Sequence, residues 1–316
     1  VQQRADTARS GTGTETATPR RRRVLRFIPL AGLLILATTA CDPSFGEPHA
    51  ITPQGERMRH LWIGSCIAAS VVGAFVLFLI LYAAIVYRKR DDVLPKQIAL
   101  NLPIEILYTV VPFVIIGALF FYTAVDEVYV TKTTAAPAQH GVDVVDVEAF
   151  QWGWTFRYVS DSAKVGVPTE QAIFTTGSSN TVEPTLVVPV DTPIQFQLHS
   201  NNVIHDFYVP ELLFKLDVIP GRTNKFEVSE IERTGTFEGH CAELCGYDHA
   251  RMNFDMKVVS QADYQTYLQT MASQGRTEPI PQWVLDATPR GSIAGDPNTG
   301  GDTNTSNTDT ETSGSA

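Results

Sequence analysis

The stretch Cys241-Ala242-Glu243-Leu244-Cys245-Gly246-Tyr247-Asp248-His249-Ala250-Arg251-Met252 puts two thiols, an imidazole and a thioether within twelve residues. Reading it as a helix or as a loop decides what kind of domain carries it. Cys241, Cys245 and His249 follow one another at intervals of four, with Met252 three further on, a spacing that one helix face would satisfy. Gly239 ahead of it, the Cys245-Gly246 pair inside it and short β-type runs on either side favour a loop wrapped round a metal. On that reading the surrounding domain is all-β.

The flanking sequence agrees. Val142-Asp-Val-Val-Asp-Val-Glu148, Thr185-Leu-Val-Val188, Ile194-Gln-Phe-Gln-Leu198, Lys225-Phe-Glu-Val228 and Met256-Lys-Val-Val259 are short runs with partial alternation, bounded by Pro, Gly, Asn and Asp. They predict a sandwich or Greek-key barrel across 126–270, with Met256–Val259 as its last strand. Gly177–Asn180 predicts a turn, Asp161–Gln171 a solvent loop, and Gln261–Thr270 a short helix. The sequence from 271 reads as a polar tail, disordered beyond about 284, where Gly, Asp, Thr, Asn and Ser repeat.

Thiolate, imidazole and thioether are soft ligands, suited to copper and poorly suited to magnesium or calcium. Zinc would prefer Cys and His alone, and Met252 is a poor zinc ligand. A mononuclear copper site uses two His, one Cys and a weak Met, so here there is one cysteine too many. The economical arrangement is two coppers sharing the thiolates of Cys241 and Cys245, each capped by one imidazole. Met252 and the backbone carbonyl of Glu243 supply weak axial contacts. A histidine from upstream completes the set, and His199 and His205 are both candidates. Two buried cysteines and a hydrogen-bonded histidine remain the alternative.

Upstream of the β runs lie two long apolar segments. Leu61–Tyr87 carries no charged residue and is long enough to span a bilayer; Ile104–Val125 is interrupted by Glu105 and Pro112 alone. The loop 88–103 between them begins Arg88-Lys89-Arg90 and includes Lys96, which places it in the cytoplasm and both chain ends outside. Glu105 at the cytoplasmic end of the second span marks either a proton entrance or an interfacial carboxylate. Ahead of both spans, Arg20–Arg23 precedes an apolar run, Val24–Ala40, that ends in small residues, the pattern of an export signal over 1–40. Cys41 directly after Ala40 resembles the lipidated cysteine of a bacterial lipobox, although Thr38 stands where that motif prefers Leu. Residues 41–60 then form an extracytoplasmic segment.

Of the chain's 316 residues the ends are poor in aromatics, so the core lies between them. From Asp126 to Ser260 there are 19 Asp and Glu against 9 Lys and Arg. That acidic balance argues against nucleic acid and for a basic or neutral protein partner, with an ordinary acidic extracytoplasmic domain as the alternative. Four cysteines, Cys41, Cys66, Cys241 and Cys245, do not make a disulfide scaffold.

Taken jointly, His199-Ser200, Ile204-His205-Asp-Phe-Tyr-Val209-Pro210, Lys215-Leu-Asp217, Pro220-Gly-Arg222 and Gly239-His-Cys241-Ala-Glu243-Leu-Cys245-Gly246 with His249 and Met252 resemble subunit II of haem–copper cytochrome c oxidase. The resemblance runs from about Leu61 to Val259. It implies a two-helix transmembrane hairpin followed by an all-β cupredoxin-like Greek-key domain that holds a binuclear copper centre, CuA. By motif match the ligands are His205, Cys241, Glu243 through its carbonyl, Cys245, His249 and Met252, with His199 outside the set. The resemblance also implies that the Glu243 side chain reaches a magnesium ion (Mg2+) shared with subunit I, and that Glu105 lies at the mouth of a proton-uptake route. Gln151-Trp152-Gly153-Trp154 matches the stretch where electrons enter, with Trp152 expected as the exposed residue and Trp154 beside it.

The implied function is uptake of electrons from cytochrome c and their transfer to haem in subunit I, where the complex reduces O2 to water. Subunits I and III and membrane lipid are the implied partners, haem belongs to partner subunits, and the chain is not catalytic alone. The implied location is the bacterial cell membrane, multi-pass, with the copper domain outside. The export region, lipobox and polar tail are similar to those of oxidases from high-GC Gram-positive bacteria (actinobacteria). Three departures stand out: Gly153 replaces an aromatic, Phe207 stands where Trp is common, and Asn201-Asn202 occupies positions that are often acidic. The last favours an attached c-type cytochrome domain of a bc1-type complex, in a supercomplex, over a freely diffusing donor. A membrane-tethered copper protein for assembly or delivery is the competing class. A quinol oxidase subunit of the same fold would lack the paired cysteines.

Overall fold

A computed structural model describes residues 44–89, 94 and 97–287. The export region, Cys41 and the far C-terminal sequence lie outside the described residues. The chain divides after Gly46, and the larger unit runs from Glu47 onward.

Within that unit, helix α1 spans Pro53–Val86 and helix α2 Leu102–Val130; both are long and apolar enough to cross a membrane. Each helix is longer than its apolar run. Pro53 occupies the first turn of α1, where its missing N–H costs nothing, and the Thr52 hydroxyl accepts from the Gly55 amide at 3.0 Å. These start signals precede the apolar run, so polar Glu56, Arg57, Arg59 and His60 are helical too. At the far end of α2 the helix continues past Val125 to Val130. Arg57 there bonds Asp126 at 2.8 Å, and its guanidinium lies 4.5 Å from the Tyr129 ring centre. The start of α1 is thereby tied to the end of α2, which makes the two helices an antiparallel hairpin.

The hairpin is also fastened to the β domain. Ile51, just before α1, is buried in that domain's core; its amide donates to the Glu211 carbonyl at 3.1 Å and its carbonyl accepts from Glu232 at 2.8 Å.

The domain is a sandwich of two sheets. Its strands are β1 Asp143–Phe150, β2 Gly153–Tyr158, β3 Gln171–Ser178, β4 Thr185–Pro189, β5 Ile194–Ser200, β6 His205–Val209, β7 Phe214–Val218, β8 Asn224–Val228, β9 Gly235–Cys241, β10 Asn253–Val259 and β11 Thr277–Pro279. One sheet has the order β11-β3-β2-β1-β5-β8 and the other β4-β10-β9-β6-β7. The pairs β1–β5 and β4–β10 are parallel and the others antiparallel, so the chain crosses between sheets as a Greek key does. Between them lies an aromatic core. Phe207 packs edge-on to Trp154 at 6.0 Å and stacks on Phe254 at 5.0 Å, taking the core position where the resemblance expects Trp. At Gly153 an added Cβ would fall 2.2 Å from the Gly177 carbonyl oxygen, so the close approach of β2 to β3 excludes a side chain there.

The polar tail expected from 271 is corrected. Helix α3, Gln261–Ser273, starts from a Ser260 cap and runs past Thr270; β11 then pairs with β3, and helix α4, Gln282–Ala287, follows. Met256–Val259 is therefore not the last strand. Trp283, Val284 and Ile280 pack against Val144, Val159 and Ala172, covering the outer side of the six-stranded sheet. A three-residue strand and a six-residue helix are too short to leave a periodic signature.

This cover explains why β1 is buried on both faces. Val145, Val147 and Ala149 face the sandwich core, while Asp146 and Glu148 are buried on the side covered by the C-terminal segment. They converge on Arg157 of β2, which bonds Asp146 at 2.8 Å, Glu148, and Glu278 of β11 at 2.5 Å. The Trp283 ring lies 5.8 Å from the same guanidinium. Asp161–Gln171 also departs from a solvent loop. Asp161 and Ser162 are buried, and the Tyr264 hydroxyl of α3 donates to Asp161 at 2.7 Å.

Candidate metal centre

Three strands of the smaller sheet deliver the ligand candidates to one end of the sandwich. His205 is the first residue of β6, Cys241 the last of β9, and Met252 immediately precedes β10. Between Cys241 and Met252 the chain is a loop, closed at its neck by a hydrogen bond from the Cys241 amide to the Met252 carbonyl at 3.1 Å. Helical spacing is confined to a single 3-10 turn, His249–Arg251. Gly246 within the loop has φ +117, a conformation that glycine adopts without strain, and it packs against the Trp152 ring.

The donor atoms converge. The Sγ atoms of Cys241 and Cys245 are 3.8 Å apart. His205 Nδ1 lies 3.8 Å from Cys241 Sγ, and His249 Nδ1 lies 3.6 Å from Cys245 Sγ. The Glu243 carbonyl oxygen is 3.2 Å from Cys241 Sγ, and Met252 Sδ is 3.8 Å from Cys245 Sγ. Each thiol thus has one imidazole and one weak donor beside it. Thiolate and imidazole bound tetrahedrally at ordinary metal–ligand lengths stand about 3.5 to 3.8 Å apart, so this set fits soft metal ions without rearrangement. His199 lies elsewhere, stacked on Trp283 at 4.5 Å.

The site is dry. His205 and Met252 are fully buried, Cys241 and Cys245 nearly so, and His249 is half-buried. Burial, then the neighbouring Cys241, pushes the Cys245 thiol up to about 12. Burial, then His249, pulls His205 down to about 4, which leaves it a neutral imidazole with a free lone pair. Metal uptake therefore has to displace the Cys245 thiol proton.

The remaining expected residues are placed as follows. Trp152 is half-buried beside the loop, and its indole N–H donates to the Cys245 carbonyl at 3.1 Å. Trp154 is fully buried and donates to the Met252 carbonyl at 3.3 Å; as a core residue beneath the site, it presents no surface to a donor. The Glu243 residue is exposed. Glu105 sits in the first turn of α2, at the opposite end from Asp126, where its carboxylate accepts from the Asn101 amide at 3.0 Å. Two residues that sequence reasoning did not assign to the site touch it. Gln151 Nε2 donates to the same Cys245 carbonyl at 2.8 Å, and Asn202 Oδ1 lies 3.1 Å from His205 Nε2.

A helical hairpin, a cupredoxin-like sandwich and a two-thiol loop define a membrane-anchored protein with a candidate soft-metal site. Two family profiles cover this same architecture: residues 43–124 match the cytochrome c oxidase subunit II transmembrane domain, and residues 144–259 its periplasmic domain. A probable cytochrome c oxidase subunit 2 of Streptomyces avermitilis is 38% identical, over 87% of this chain and 95% of its own length. Cytochrome c oxidase subunit 2 of Mycobacterium tuberculosis is 34% identical, over 78% of this chain and 81% of its own. A solved periplasmic domain of cytochrome oxidase subunit II from Bradyrhizobium japonicum is 29% identical over 42% of this chain and 94% of its own, with a TM-score of 0.36. The chain belongs to the cytochrome c oxidase subunit II family.

Proposed function

We propose that this chain is the electron-accepting subunit of a haem–copper oxidase, anchored by two membrane helices with its sandwich domain on the extracytoplasmic side. It takes electrons from cytochrome c, or from an attached c-type cytochrome domain of a bc1-type complex, and passes them to haem in subunit I. The complex with subunits I and III reduces O2 to water. The single observation that carries this reading is the pairing of Cys241 and Cys245 at 3.8 Å, each with its own imidazole. Two copper ions held there would supply a one-electron redox centre whose charge is spread over both metals.

The chain's own residues do the rest. His205, Cys241, the Glu243 carbonyl, Cys245, His249 and Met252 would hold the pair, and buried Trp154 beneath them keeps water from that side. The half-buried Trp152 ring, bonded to the Cys245 carbonyl, is the electron entry. Leu244 and Tyr247 of the ligand loop and Ile204 next to His205 are exposed, and they offer apolar surface to a protein donor. The Glu243 carboxylate, free at the surface, is the ligand offered to a Mg2+ ion shared with subunit I. Glu105, at the cytoplasmic start of α2, is the carboxylate at the mouth of proton uptake. Cys41 is the lipid attachment point. A delivery protein would need exposed, exchangeable ligands, and the burial of four of these side chains argues against that role.

Stopped-flow mixing of the copper-loaded full chain with reduced cytochrome c tests the reading. Electron transfer faster than to the chain stripped of copper supports it. A loaded chain that cannot be reduced by any c-type cytochrome contradicts it.

A further inference from the structure

We propose that Asn202 is a positioning residue for the metal centre: its side-chain oxygen holds His205 in the tautomer that turns the Nδ1 lone pair toward the thiols. This rests on the reading of the cluster as a copper centre and adds an outer residue to it. Asn202 Oδ1 accepts from the Val203 backbone amide at 2.8 Å and faces His205 Nε2 at 3.1 Å. A backbone N–H can only donate, so the atom beside it is the amide oxygen and not the NH2 group. That oxygen can only accept from His205. Nε2 must then carry the proton, which leaves Nδ1 bare where it stands 3.8 Å from Cys241 Sγ. Both lone pairs of the Asn202 oxygen are used, one by the backbone and one by the ring.

The loop that carries Asn202 is itself held. The Ser200 hydroxyl donates to the Val203 carbonyl at 2.5 Å, and the Asn202 amide donates to that hydroxyl oxygen at 3.3 Å. The Asn201 amide donates to the Ala149 carbonyl at 3.1 Å, and its side chain bonds Glu148, which Arg157 anchors. The link between β5 and β6 is therefore pinned to the buried cluster of the larger sheet. Asn201 serves that anchorage and Asn202 serves the ligand. A neutral amide fixes the tautomer without adding negative charge beside the centre, as a carboxylate there would.

The test is nitrogen NMR on the full chain in detergent, metal-free and labelled with 15N-histidine. His205 is assigned by the signal that disappears in His205→Gln. Wild type is expected to show the Nε2–H tautomer alone. Asn202→Ala should give a mixture or the Nδ1–H form, and Asn202→Asp should restore Nε2–H. An Nδ1–H signal in wild type overturns the proposal even if Asn202→Ala does not fold, and so does an unchanged tautomer in a folded Asn202→Ala. Chelator competition then reads copper binding, where Asn202→Ala should weaken affinity about 10–100-fold and Asn202→Asp should recover it. A wild-type chain that shows the expected tautomer yet binds no copper would defeat the copper reading and leave the role of Asn202 standing.

Discussion

The indole N–H of Trp152 donates to the carbonyl oxygen of Cys245 at 3.1 Å, so a half-buried ring on the β1–β2 turn touches the backbone of a residue whose thiol lies in the candidate ligand cluster. One hydrogen bond joins this ring to the backbone of a buried ligand candidate. Trp152→Ala removes both the ring and the bond, while Gln151 continues to hold the same carbonyl at 2.8 Å. We expect copper content to be unchanged and the rate of reduction by cytochrome c to fall by about tenfold or more, equivalent to at least ~1.4 kcal/mol of barrier. Stopped-flow absorbance checks this, and an unaltered rate would place electron entry elsewhere.

Cys245→Ser should convert the centre rather than abolish it. One thiolate, Cys241, then remains with His205, His249 and Met252, the donor set of a mononuclear copper site. Copper content is expected to drop to about one ion per chain. Metal analysis with electron spin resonance of the variant decides it; retention of two coppers would mean that Cys245 is not a bridging ligand.

Arg157 balances three carboxylates on the covered side of the larger sheet, two of them buried. Arg157→Ala leaves buried Asp146 and Glu148 without their cationic hydrogen-bond partner beneath Trp283 and should destabilise the fold by about 3–5 kcal/mol. Denaturant titration of the full chain in detergent gives the number. A loss below about 1 kcal/mol would show that the cluster is solvated in solution.

Burial pushes Asp146 up from the ordinary 3.8 to about 7 against the pull of Arg157. The folded state then keeps a proton that the unfolded state has released. The stabilisation from this group is complete below about pH 4 and is lost as pH rises through about 7. Asp143 and Asp206, both raised to about 6 by burial, act in the same direction. Asp146→Asn should flatten, without abolishing, the fall in stability between about pH 4 and 7. Denaturation midpoints measured across that window check it, and an unchanged slope refutes the assignment.

What can be read from the residues divides along physical lines. Both membrane helices contain long apolar runs, which sequence displays directly; their polar ends, set by Thr52–Pro53 and by the Arg57–Asp126 pair, fall outside those runs and carry no such signal. The ligand loop is legible because its donors are close in sequence and chemically unusual. His205 is harder. Its distance from Cys241 in sequence hides a strand pairing, since Phe207 of β6 sits opposite Cys241 of β9, and spacing alone leaves it level with His199. Gln151 and Asn202 stand in stretches the sequence marks, but their bonds to the Cys245 carbonyl and to His205 are not legible, because a polar side chain that meets a carbonyl or ring across a turn leaves no pattern. The same is true of Trp283, which falls inside the stretch that reads as a polar tail from 271 and instead lies over Arg157.

The central claim is that Cys241 and Cys245 bridge two copper ions. Copper counting with electron spin resonance on the purified full chain tests it most directly. We predict about two coppers per chain and the hyperfine pattern of one unpaired electron shared by both nuclei. One copper per chain, with the pattern of a single nucleus, would contradict it.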